Sequence, residues 1–92
     1  QWPYDIIPRI LRVSEWTRIE AGLRQRLSAL NCFIDDIYNE QRIFRDRIIP
    51  RAVIMDAGNY REQCAGMHPL HGVWAHICGS DLVRDKDGTV YV

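Results

Sequence analysis

Trp16, Ile19, Leu23, Leu27, Leu30, Ile34 and Ile37 follow one another at intervals of three and four residues, the period of one face of an α-helix. Ser14 precedes them with a hydroxyl suited to an N-cap, so the spacing predicts one long helix over residues 14–38. The opposite face carries Arg18, Arg24, Gln25, Ser28, Asn31 and Asp35, as a solvated or partner-facing surface does. Gly22 interrupts the pattern at a cost of roughly 1 kcal/mol relative to alanine, which points to close approach by another element. Cys32 is expected to face inward. Asn39 should end the helix, with Glu40–Arg45 adding turns that fold back, so that residues 14–47 are helical.

Before the helix, residues 1–13 are a lead-in with Pro3 and Pro8, which bias Trp2 and Ile7 toward extended backbone. Trp2, Tyr4, Ile6, Ile7, Ile10 and Leu11 are too apolar for a free tail, and the expectation is that they lie on the helix that follows. Residues 48–69 read as a connector with two short helices. Pro50 suits a first helical position ahead of Ala52–Met55, and Asn59 with Glu62 has the spacing of a capping box. In residues 70–92 the pattern turns strand-like, with Val73–Cys78 expected to begin the sheet. Ile77–Arg84 and Thr89–Val92 flank an Asp85-Lys86-Asp87-Gly88 turn, which predicts an antiparallel hairpin. The fold class is therefore α+β, in a single partial domain.

Ninety-two residues bury only roughly 60 to 65% of their unfolded surface, so stability is expected to be marginal. Twelve basic and twelve acidic side chains cancel, and no net field favours nucleic acid or an anionic membrane. Lys86 is the only lysine. The arginine bias suits phosphate or carboxylate recognition, although an even spread of surface ion pairs accounts for it as well. No apolar run approaches the ~20 residues of a membrane span, and no leader opens the chain, so a cytoplasmic protein is expected. Gln1 and the mid-strand pattern at Val92 suggest a piece of something longer.

Asp81 sits beside Leu82 and Val83 in the expected first strand, where desolvating a carboxylate is costly without compensation. It is either a structural cap or aimed at a positive charge. Arg84 reads as a counter-charge to a carboxylate or phosphate, or as one half of a cross-strand ion pair. His76 reads as a ligand contact or as a hydrogen-bonded structural histidine. Cys64, His68, His71, His76 and Cys78 are the residue types that zinc prefers, but they lack a paired ligand spacing. The three cysteines fit reduced thiols. Trp2, Trp16 and Trp74 are not interleaved with basic residues, so packing explains them better than base stacking.

His76, Gly79, Asp81-Leu-Val-Arg84, Asp87-Gly88 and Tyr91-Val92 resemble the segment that leads into the metal-binding motif of circularly permuted ATP-grasp proteins. Asp5-Ile-Ile-Pro-Arg9, Glu15-Trp16, Glu20, Gly22-Leu23, Gln25-Arg26, Ala29-Leu-Asn31, Asp36-Ile-Tyr38, Gln41 and Ile49-Pro50 resemble the amino-terminal block of the same family. The family pattern continues with a Leu-Glu-Asp-Asn element bearing further metal ligands, and this chain stops at Val92. Two positions depart from the pattern: Ser80, where an apolar residue is usual, and Arg47, where glycine is usual.

The resemblance implies an ATP-dependent carboxylate–amine ligase acting through an acyl phosphate, with Asp81 as a metal ligand and Arg84 and His76 near the cofactor. Magnesium and ATP would belong to the full-length protein, and the rest of the ATP-grasp domain would be the partner. The chain alone is expected to be inactive, and neither its acid nor its amine is legible. A second reading is a helix-hairpin interaction module without catalysis, whose apolar lead-in docks a partner.

Overall fold

In the computed structural model, residues 3–92 are described, and the expected extended backbone at Trp2 falls outside them. Helix α1 runs over Val13–Tyr38, and its N-cap, Arg12, lies two residues before the expected cap at Ser14. The difference lies in Glu15, whose Oε2 accepts the backbone N–H of Arg12 at 3.3 Å. That bond fixes Arg12 as the N-cap, with extended φ −74° and ψ 152°, and leaves Ser14 inside the first turn. Glu20 and Arg24 pair one turn apart at 2.8 Å, a surface contact worth a few tenths of a kcal/mol.

Asn39 ends α1 and Gln41 turns left-handed, after which α2 (Arg42–Arg45) folds back against α1. Helix α3 (Arg51–Met55) begins after Pro50, which is its N-cap and not its first helical residue. Arg51 donates to Gln41 Oε1 at 2.7 Å and lies 5.8 Å above the Phe44 ring, tying α3 to α2. The second connector helix is a short 3-10 turn at Glu62–Cys64 with Arg61 as its N-cap. The Asn59 capping box therefore does not form. A further 3-10 turn occupies Leu70–Gly72.

Val73–Cys78 does not join a sheet. The sheet is confined to β1 (Val83–Arg84) and β2 (Val90–Tyr91), antiparallel with Val83 opposite Tyr91 and Arg84 opposite Val90. The Asp-Lys-Asp-Gly turn forms as its chemistry requires. Gly88 takes φ +85°, its N–H donates to Asp85 O at 3.0 Å, and Asp85 N–H donates to Thr89 O at 2.8 Å. Asp87 accepts the Thr89 N–H at 2.9 Å.

Burial departs most from expectation. Among the described residues only Ile19 and Ile37 are buried, about five helical turns apart on one face of α1. Leu23, Leu27 and Ile34 are half-buried and Leu30 is 57% exposed, so they do not form the closed core that their spacing suggests. The period locates a face but not what covers it. The described part of the lead-in does not dock on α1 either: the chain bends at Ile6 and Ile7, and Tyr4, Ile6, Ile7 and Ile10 are at least 80% exposed. Cys32 is exposed as well. The radius of gyration is 17.6 Å, against roughly 12 Å for a closed globule of this length. The nearest atom to a Cβ added at Gly22 is the chain's own Arg26 Nη1 at 3.0 Å, so the approach expected there comes from a neighbouring turn of the same helix.

Candidate functional site

Asp81 lies two residues before the paired part of β1, exposed, in a groove of about 870 Å³. Leu23, Leu27 and Leu30 of α1 form one wall with Arg26, and Cys78, Ser80 and Val92 lie opposite. The hairpin's capping carboxylates are Asp85 and Asp87, and Asp81 takes no part in those bonds. No ion pair among the described residues includes it. Arg26 offers a positive charge in the same groove, but its Nη1 is directed back to Gly22 O at 3.3 Å. Asp81 is thus a carboxylate in a largely apolar groove without a fixed partner.

Arg84 is turned away from this groove. Its guanidinium pairs with the Glu15 carboxylate at the start of α1, so the ion pair is not cross-strand but between hairpin and helix. Both side chains are partly shielded, at 33% and 22% exposure, and the pair anchors β1 across α1. His76 is exposed and borders neither the Asp81 groove nor the cleft that Arg84 lines with Arg12, Ser14, Glu15 and Arg18. The three residues singled out from the sequence therefore do not converge.

A metal site can be judged by its donors. Magnesium takes one or two carboxylates and fills its octahedron with waters and substrate phosphates. Asp81 fits one such position. Among the described residues, no group of three or more His, Cys, Asp and Glu side chains gathers, and Cys64, His68, His71, His76 and Cys78 are not brought together into one.

The polar face of α1 binds the connector. Asn31 Nδ2 donates to Gly72 O and Asn31 Oδ1 accepts the Trp74 N–H, both at 2.8 Å. Trp74 Nε1 donates to Asp35 Oδ1 at 2.9 Å. Asn39 Nδ2 reaches Met67 O at 3.2 Å, and Tyr38 O accepts the Gly66 N–H at 2.8 Å. The Tyr38 ring stacks between Tyr60 and Trp74, with centroids 4.9 and 5.2 Å away. Its hydroxyl accepts the Arg61 N–H at 3.0 Å. Sequence reading placed Asn31 and Asp35 on a solvated or partner-facing surface, and the partner is the chain's own connector. Two amides and a carboxylate within nine residues of one helix face were the signal available.

Asp36 caps α2 from a distance, accepting the Ile43 N–H at 2.9 Å and the Arg42 N–H at 3.0 Å. The Ile43 bond above all holds its carboxyl below the ordinary range against opposing burial; the Arg42 bond and the charges of Arg42 and Arg45 add to it. Asp87 is lowered likewise by the N–H and hydroxyl of Thr89.

Comparison with known proteins places this geometry in a family. The family model described as circularly permuted ATP-grasp type 2 matches residues 8–92. The chain belongs to that family. An uncharacterized protein of Synechocystis sp. is 48% identical over 91 residues, covering 99% of this chain and 19% of the relative. An uncharacterized protein of Mycobacterium tuberculosis is 44% identical over 87 residues, 95% of this chain and 16% of the relative. A putative glutamate--cysteine ligase 2-2 of Frankia casuarinae is 38% identical over 87 residues, 95% of this chain and 10% of the relative. The chain thus spans at most about a fifth of these relatives. In this ATP-grasp segment the long helix, short helices and two-stranded hairpin form a partial α+β domain, and no helix among the described residues is long and apolar enough to cross a membrane.

Proposed function

We propose that this chain is the amino-terminal scaffold of an ATP-dependent carboxylate–amine ligase that works through an acyl phosphate in the cytoplasm. The observation that carries the reading is the family match over residues 8–92, joined by relatives named as putative glutamate--cysteine ligases at 38% identity. In such chemistry a magnesium ion neutralises phosphate charge. Asp81 supplies one oxygen ligand, and the remaining ligands come from the rest of the ATP-grasp domain. α1 forms the wall that faces Asp81 across the groove. Arg84 is engaged with Glu15 and His76 borders no shared cleft, so neither has a geometric argument for touching the nucleotide. No catalytic step is assigned to residues of this chain.

The experiment is Asp81→Asn in the intact gene product. Asparagine keeps the shape and an acceptor oxygen but removes the charge that attracts a cation. ATP turnover should fall severely and recover only at much higher magnesium, with the fold unchanged. Normal turnover at low magnesium would remove Asp81 from the site.

The exposed lead-in favours a second reading, in which the chain is a non-catalytic module and Tyr4, Ile6, Ile7 and Ile10 dock a partner. An intact gene product that neither binds nor hydrolyses ATP would select this reading over the first.

A further inference from the structure

A cleft separate from the Asp81 groove lies where α1 begins and β1 crosses it. It has a volume of about 540 Å³ and is walled by Arg12, Ser14, Glu15, Arg18 and Arg84, with no apolar residue among them. Three guanidinium groups therefore face one space with a single carboxylate. That carboxylate is already engaged: Glu15 pairs with Arg84 and accepts the Arg12 backbone N–H at 3.3 Å. Arg12 and Arg18 enter no ion pair among the described residues. Three positive charges less one negative leave the lining at +2.

Uncancelled like charges gathered around one cleft repel each other, and an anion between them relieves that repulsion. We propose that this cleft binds a phosphate group, either free or as a phosphomonoester, at a site distinct from the Asp81 groove. The charge selects phosphate over a carboxylate. A phosphate carries about −1.5 to −2 at neutral pH and presents three acceptor oxygens, matching a +2 lining whose donors come from α1 and from β1. A carboxylate carries a single charge on two oxygens and satisfies one guanidinium fork. Glu15 holds Arg84 at the wall as the fixed donor, Arg12 and Arg18 close on the anion from the helix start, and the Ser14 hydroxyl adds a neutral donor.

This inference goes beyond the ligase reading and does not need Asp81 to hold a metal. It is tested on the intact gene product by calorimetric titration with inorganic phosphate at low ionic strength, without nucleotide or magnesium. Glycerol phosphate and acetate serve as competitors. Arg12→Gln and Arg18→Gln are the informative variants, because neither residue is in an ion pair and circular dichroism can verify that each variant folds. Saturable phosphate binding is expected, displaced by glycerol phosphate but not by acetate, and weakened about tenfold by either variant, as loss of one charge-assisted contact requires. Three results would overturn it: no saturable binding, displacement by acetate as readily as by glycerol phosphate, or unchanged affinity in both variants. Since turnover is not measured, the ligase reading can fail while this site stands, and the reverse.

Discussion

The indole Nε1 of Trp74 donates to Asp35 Oδ1 at 2.9 Å, joining residues 39 positions apart. Trp74 also gives its backbone N–H to Asn31 and its ring face to Tyr38, so one residue fastens the stretch between α3 and β1 to α1 in three ways. The chain has only two buried apolar residues among those described. These polar and aromatic ties consequently carry a larger share of the tertiary order than they would above a closed core.

Trp74→Phe isolates one tie. Phenylalanine retains an aromatic face for Tyr38 but has no N–H for the carboxylate. A hydrogen bond to a charged group contributes roughly 1.5 to 3 kcal/mol, and partial exposure places the expected loss at the low end. Urea denaturation of Trp74→Phe, Asp35→Ala and the double variant should show losses that do not add, since each single change removes one partner of the same bond. Fully additive losses would mean the bond is absent in solution.

Ile37 and Leu30 share a periodic stripe but not an environment, with exposures of 7% and 57%. Ile37→Ala should cost roughly 2 to 5 kcal/mol as a core truncation, while Leu30→Ala in this chain should stay within about 0.5 kcal/mol, as an exposed site does. Equal midpoints for the two variants in denaturation would show that Leu30 is covered after all.

The contrast marks what was legible in the sequence. The three-and-four spacing revealed α1 from near its first residue to its last, because a helix is written in local period. The Asp-Lys-Asp-Gly turn was equally plain, because positive φ at Gly88 is a local demand. The Trp74–Asp35 and Asn31–Gly72 bonds and the Glu15–Arg84 pair were not visible, since contacts between distant positions leave no periodic trace. Burial failed for a related reason: the stripe from Leu23 to Ile34 identifies an apolar face, and covering it takes surface that these residues do not supply. At the candidate site, Asp81 stood out by its apolar neighbours, whereas the separation of Arg84 and His76 from it follows from how the hairpin crosses α1.

Arg47 is exposed and takes φ +57°, a left-handed conformation that costs a residue with a Cβ roughly 1 to 2 kcal/mol. The family pattern's usual glycine at this position has its physical reason here. Arg47→Gly should raise stability by about 1 kcal/mol, the unfolded chain's extra freedom offsetting part of the relief. Arg47→Ala should give no such gain, because alanine keeps the Cβ. Thermal or urea midpoints of the pair decide it, and a gain with alanine alone would point to removal of the charge as the cause.

Asp36 makes stability depend on pH. Its carboxylate accepts the Ile43 and Arg42 N–H groups at the start of α2, and these bonds, the Ile43 bond first, hold its pKa below the ordinary aspartate value in the folded protein. A carboxyl that is more acidic when folded adds stability that is present above the unfolded pKa, about 3.9. That stability is lost as pH falls through the lower folded pKa. Asp36→Asn keeps one acceptor oxygen but cannot ionise. The stability difference between wild type and Asp36→Asn should therefore be greatest near pH 6, begin to shrink as pH drops below about 4, and level off under the folded pKa. Taking the difference removes the background from the other carboxylates. Urea midpoints for both proteins between about pH 2 and pH 6 measure it directly, and a constant difference across that window would mean that the Asp36 charge is not what caps α2.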